Sequence, residues 1–347
     1  MPRALQWCAS APPSSAPARR RAGAERHTYN AGKARSPPPA TACMGDPTAA
    51  EPSRLSQPNP SHPTEARHSM SPSQTRIAFI GGGNMARSLV AGLIADDHAA
   101  SALIVSDPVA DTRSQLARAY GVHTTDDNAA AAAAAKVVVL AVKPQTAPAV
   151  CRALAPHLPR PAPLVISVMA GVTEAAIGSW LGGETPVVRS MPNTPVLIQS
   201  GAIGLHANAA TSAAQCNLAE EILRAGGLTR WVSTEADLDA VTAVSGSGPA
   251  YFFLFMEALE TTAMAEGLDA ETARLLAIQT ALGAARMAVE SDESPAELRR
   301  RVTSPGGTTE RALAVLTDGG LEPLLGRAVA AARTRAQELS QLLGADA

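Results

Sequence analysis

At 347 residues, with a formal net charge of −2 and aromatics at 3%, the chain has length for two domains and too little positive charge to suit a nucleic-acid partner. No apolar run reaches the roughly 20 residues of a membrane-spanning helix. The four cysteines, Cys8, Cys43, Cys151 and Cys216, make no CxxC or CxxH pattern and read as free thiols of a reducing compartment; a Cys151–Cys216 pair stays open, but nothing favours it.

The first 69 residues hold 12 of the 27 prolines, two leucines and no Val, Ile or Phe. Such a segment cannot bury enough apolar surface to offset its ordering entropy, so residues 1–74 are expected to form a disordered tail. Nine Lys/Arg against four Asp/Glu make the first 69 residues basic by five, which leaves the remainder at −7. The apolar stretch of a secretory signal is missing. Arg19–Arg21 and the scarcity of acids suit an organellar transit peptide, but the prolines oppose an amphipathic helix; a native start at Met70 fits better.

The first ordered element expected is Ile77–Ile80, a short apolar run of the kind buried on both faces of a parallel sheet. It enters Gly81-x-Gly83-x-x-Ala86, and an apolar helical pattern (Leu89, Val90, Leu93, Ile94) follows at once. Gly81 permits a tight turn, Gly83 lets the backbone approach a pyrophosphate, and Ala86 lets the helix pack on the strand. Glycines also mark ordinary turns, but strand before and helix after is the context that a dinucleotide site demands.

Beyond this turn strands and helices alternate, which implies a parallel sheet with right-handed crossovers. Strands are expected at Leu103–Ser106, near Val122, at Lys136–Val142, at Leu164–Met169 and at Pro186–Arg189. Weaker ones are expected at Ala202–Leu205 and Thr229–Val232, around a helix near 211–225. The alanine run 129–135 reads as a short helix. After Thr234 the alternation stops, which places a boundary near 233.

Residues 235–343 read as helices alone. Gly246-Ser-Gly-Pro249 opens an apolar helix, Tyr251–Glu266. Leu275, Ile278, Leu282, Ala285 and Val289 repeat as a packing stripe. Ser294-Pro-Ala-Glu297 has the form of a capping box. The stripe faces either an intramolecular core or a second subunit.

A second motif, Val302-Thr-Ser-Pro-Gly-Gly-Thr-Thr-Glu-Arg311, lies between two helices. Pro305-Gly306-Gly307 frees successive backbone N–H groups, and Thr308 or Thr309 is placed to cap the next helix. A nest joined to a helix start suits a carboxylate, with Ser304, Thr308 and Thr309 as hydroxyl donors; a plain capped turn uses the same residue types. No His or acidic pair forms a dehydrogenase-like base motif, and no metal-ligand spacing appears. His123, His157 and His206 read as loop or surface residues. Lys143 is a proton-donor candidate, or simply a solvated strand end. An already protonated imine, needing no strong base, would suit this inventory as hydride acceptor.

Taken together, IAFIGGGNMA (77–86), AVKP (141–144), AGVT (170–173), MPNTP (191–195), VSGSGPAY (244–251) and SPGGTT (304–309) resemble the Δ1-pyrroline-5-carboxylate reductase family over about residues 76–343. The resemblance implies an α/β fold: a Rossmann-like dinucleotide-binding domain (75–233), then an all-helical dimerisation and substrate domain (234–347), with dimers assembled into a larger ring. It implies reduction of the cyclic imine to L-proline in the cytoplasm with NADPH, NADH being possible, and without a metal. Carried over by motif, Ile80, Gly81, Gly82, Gly83, Asn84 and Met85 hold the pyrophosphate. Asn128, Ala141, Val142, Lys143 and Pro144 line the cofactor, and Val168, Met169 and Ala170 sit near the nicotinamide. Gly306, Gly307, Thr308 and Thr309 grip the substrate carboxylate, Thr309 with Ser304 meets the ring nitrogen, and Glu235 aligns with an acidic substrate contact.

Two departures stand out. Asp107 closes the second strand, where an acid bonds the ribose 2′-OH of NAD and repels the phosphate of NADP, although Arg113 is near. Arg299-Arg300-Arg301 replaces a single basic residue and reads as a solvated helix face. Two other functions keep the fold: reduction of another cyclic imine acid, and dinucleotide sensing without turnover, which would have no need of the SPGGTT loop.

Overall fold

The structure, a computed structural model, describes residues 74–344; Met70, the basic tail and Cys8 and Cys43 lie outside them. Eight strands, β1 (Ile77–Ile80), β2 (Leu103–Ser106), β3 (His123–Thr125), β4 (Val137–Leu140), β5 (Leu164–Ser167), β6 (Val187–Met191), β7 (Gly201–Ala207) and β8 (Gly227–Trp231), form one sheet in the order β3-β2-β1-β4-β5-β6-β7-β8. The first six run parallel, whereas β7 pairs antiparallel with β6 and carries β8 with it. This departs from the wholly parallel sheet expected. Only residues 192–200 join β6 to β7, and a parallel return needs a crossover of about a dozen residues or more.

Helices cover both faces. Ile77 and Phe79 pack with Leu89 and Leu93 of α1 (Asn84–Ala95), Leu116 of α2 (Ala110–Tyr120) and Ile222 of α6 (Ala213–Arg224). Ala78 and Ile80 face α3 (Asn128–Ala133), α4 (Ala147–Leu154) and α5 (Glu174–Trp180). Four consecutive apolar residues in β1 are buried because each face has its own layer. The strand order reverses between β1 and β4, which opens a crevice beyond their carboxyl ends.

Helix α7 (Asp237–Val241) still packs on the sheet; a π-helical turn, Thr242–Gly246, then leads into α8 (Gly248–Ala265). α9 (Ala270–Glu290), α10 (Pro295–Arg301), α11 (Thr308–Asp318) and α12 (Leu321–Gly344) follow. The α9 stripe is not an intramolecular core: Leu275 is 60% and Val289 65% exposed, and the Phe252–Phe255 run of α8 is exposed too. Ser294 caps α10 through Glu297 N–H, but Glu297 turns to Arg300 instead of completing the box. The three arginines 299–301 are exposed in the last turn of α10, where cations favour the helix dipole. α12 returns to the sheet, with Leu339 and Leu343 against Gly171. Among the described residues Cys151 and Cys216 are free thiols, no helix is long and apolar enough to cross a membrane, and no His/Cys/Asp/Glu group could hold a metal ion.

Candidate active site

The turn after β1 is built for glycine. Gly81 has φ of 100°, and a Cβ there would lie 2.6 Å from the Ala141 carbonyl oxygen. A Cβ on Gly82 would meet Leu116 and Thr112 at 2.9 Å. Gly83 is the N-cap of α1, no side chain caps that helix, and a Cβ on Gly83 would touch nothing within 4 Å. The first N–H groups of α1 therefore open on solvent beside the strand ends, which fits the pyrophosphate of a dinucleotide. Asn84 is exposed, Met85 half-buried against the core, and Ile80 buried, offering only backbone.

The strand register gathers the other cofactor-lining residues. Ile80 is level with Leu140, and Leu140 with Ser167, so 81–85, 141–144 and 168–170 leave the sheet side by side. Ala141 and Val142 are half-buried, and Lys143, exposed, starts a 3-10 turn with Pro144. Val168 is half-buried, Met169 buried and Ala170 exposed. Asn128, in the first turn of α3, accepts the Ser106 hydroxyl at 2.7 Å. Asp107 holds the Gly82 N–H with Oδ2 and the Val109 N–H with Oδ1, both at 2.8 Å. Arg113 bonds the Asp107 carbonyl at 2.7 Å and reaches Asp126 at 3.5 Å.

Glu235 closes a charged cluster that the sequence did not reveal. Its Oε1 accepts from Arg189 Nη1 at 2.9 Å and from the Glu174 N–H at 2.8 Å. Glu174 Oε1 in turn meets His206 Nδ1 at 2.7 Å. His206 was expected in a loop or at the surface; it lies in β7, half-buried, because the antiparallel strand sets it level with Arg189. Burial pushes the Glu174 carboxyl above its usual range, opposed by His206. The one available signal was Arg189 itself, a charge inside an apolar strand run, where burial demands a partner.

The 304–309 loop stands apart. Gly306 has φ of 72°, and its N–H donates to Glu310 Oε2 at 2.8 Å. Gly307, rather than Thr308 or Thr309, is the N-cap of α11, because its extended backbone forms the boundary, and no side chain caps the helix. Ser304, Thr308 and Thr309 are exposed, with no hydrogen bond to their hydroxyls among the described residues. Among the described residues the loop bonds only to itself and to α11, and nothing there binds it to the strand ends.

A family model described as pyrroline-5-carboxylate reductase dimerisation matches residues 235–339, and one described as NADP oxidoreductase, coenzyme F420-dependent, matches residues 76–171. The chain is 53% identical over 272 residues to a pyrroline-5-carboxylate reductase of Pseudomonas aeruginosa, covering 78% of this chain and 99% of that protein. It is 43% identical to the reductase of Pasteurella multocida, covering 77% and 98%. A solved pyrroline-5-carboxylate reductase from Coxiella burnetii superimposes with a TM-score of 0.75 at 50% identity, covering 77% of this chain and 99% of that one. A Plasmodium falciparum pyrroline carboxylate reductase with NADP bound gives 0.68 at 27% identity, covering 77% and 99%.

Proposed function

We infer that this chain, which belongs to the pyrroline-5-carboxylate reductase family, reduces Δ1-pyrroline-5-carboxylate to L-proline, the last step of proline biosynthesis. The observation that carries this reading is the presence of two helix starts left open by glycine, α1 at Gly83 and α11 at Gly307. One suits a pyrophosphate and the other a small carboxylate. The loop makes no bond to the nucleotide turn of its own protomer, so the cleft is completed by the 304–309 loop of a partner subunit. A homodimer through the exposed faces of α8 and α9 supplies it, with dimers assembled into a ring. The division between dinucleotide-binding and substrate domains falls near residue 233, and the free thiols suit a cytoplasmic enzyme.

The cofactor belongs at the β1 turn, with Asn128 and Ala141–Pro144 along it and Val168–Ala170 beside the nicotinamide. When bound, reduced nicotinamide supplies the hydride that reduces the imine carbon. The chain's own residues bind and orient. The 306–309 loop holds the carboxylate through the Thr308 and Thr309 N–H groups, since the Gly306 N–H is given to Glu310 and the Gly307 N–H to the Ser304 carbonyl. Thr309, with Ser304, hydrogen-bonds the ring nitrogen. A hydroxyl's pKa is too high for it to be a free acid, so the imine arrives protonated or water assists. NADPH is the expected donor, with NADH accepted.

Purified protein with pyrroline-5-carboxylate and NADPH or NADH, followed by nicotinamide absorbance, tests the function; no turnover with either rejects it. Thr309→Ala should lower kcat on the order of 100-fold while cofactor affinity stays near normal. Equal loss of both, or of neither, would remove Thr309 from that role.

A further inference from the structure

The cluster behind Glu235 has a construction that simple charge pairing does not require. Arg189 lies in the middle of β6, 4% exposed, and shares one Glu235 oxygen with the Glu174 N–H. Two donors on Oε1 fix the plane of that carboxylate. Oε2 has no partner among the described residues, on a side chain still 25% exposed. Glu174 faces two ways: its backbone holds Glu235, and its side chain, 8% exposed, holds His206. Four segments (β6, β7, the start of α5 and the loop after β8) thus converge on one carboxylate and leave one of its oxygens open. The place suits the chemistry. Arg189 is level with Ser167 in the sheet, the residue that precedes Val168–Ala170, and Glu174 starts the helix that follows that stretch.

We propose that Arg189, Glu174 and His206 are positioning residues for the reduction, locking the Glu235 carboxylate so that Oε2 faces the positively charged ring nitrogen of the substrate. The inference rests on the reductase reading. A fixed negative charge favours the protonated imine, the form that accepts hydride. In that step the hydride supplied by reduced nicotinamide bonds to the ring carbon, and the C=N π pair becomes the nitrogen lone pair. No proton leaves the protein in that step. Arg189 holds the Glu235 carboxylate through a 2.9 Å ion pair, and the Glu174–His206 pair keeps the first turn of α5 in place. Glu174, already raised by burial, depends on His206 to offset that burial. The other charged groups facing the cluster are Asp237 and Asp239 of α7 and Arg333 of α12.

The test uses the full-length protein, with kcat and KM for imine and NADPH measured across pH. The wild type comes first: no imine reduction at all defeats the reductase reading, and this inference with it. Given turnover, His206→Ala should lower kcat/KM for the imine about tenfold with the NADPH KM unchanged. It should also move the acid limb to higher pH, since Glu174 loses the donor that favours its ionised form. His206→Gln, which keeps an N–H donor, should restore both toward wild type. Glu174→Gln keeps the N–H on Glu235 but removes the titrating group, and should displace the acid limb even where His206→Ala fails to fold. An acid limb unmoved in Glu174→Gln, or imine and NADPH parameters that fall together in His206→Gln, would overturn the proposal.

Discussion

A carboxylate that already holds two backbone N–H groups has a structural task before any ligand arrives. Asp107 fastens the glycine turn to the end of β2 through Gly82 and begins the approach to α2 through Val109. In the proposed cofactor site the ribose lies beside Asp107, and Arg113, bonded to the Asp107 carbonyl, is the cation we propose to offset that acid. Arg113→Ala should therefore lower kcat/KM about tenfold with NADPH and leave it nearly unchanged with NADH. An equal fall with both would assign Arg113 to holding the turn alone. Individual residues were legible where one local rule governs them: Gly81 follows a strand and precedes a helix, and only glycine fits its φ. The Glu235 cluster was not, because its bonds join residues 46, 61 and 32 positions apart, and no spacing rule reaches that far.

Elements were read well where both faces of a strand are buried, and less well where direction matters. β1 and β2 have the bounds that their apolar runs imply. The reversal of β7 was missed because alternation gives a strand no sense; the short link from β6 held that information. Helix α1 shows how closely elements meet: a Cβ on Gly92 would lie 2.2 Å from the Ala225 carbonyl oxygen, at the turn between α6 and β8. Alanine ordinarily gains about 0.5–1 kcal/mol over glycine within a helix, but here the clash decides. Gly92→Ala should destabilise the protein by about 1–3 kcal/mol, read as a lower urea midpoint at fixed protomer concentration. An unchanged or raised midpoint would mean that α1 can slide without cost.

Across the whole molecule, the separation of exposed apolar surface from the buried sheet core sets the form in which the site can work. Sequence periodicity located the α9 stripe but could not say what covers it; its exposure beside Phe252–Phe255 in one chain points to a second copy. A nucleotide turn and a carboxylate loop from different protomers are proposed to make one cleft. Two variants test it, Gly83→Asp and Thr308→Asp, each placing a negative charge where an anion must bind: a Cβ on Gly83 meets nothing within 4 Å, and Thr308 is exposed at the first position of α11. Each alone should be inactive. After dissociation and mixed reassembly, half the dimers are hybrids with one intact cleft, so about a quarter of wild-type imine reduction should return. No recovery from hybrids shown to have formed would contradict the shared cleft.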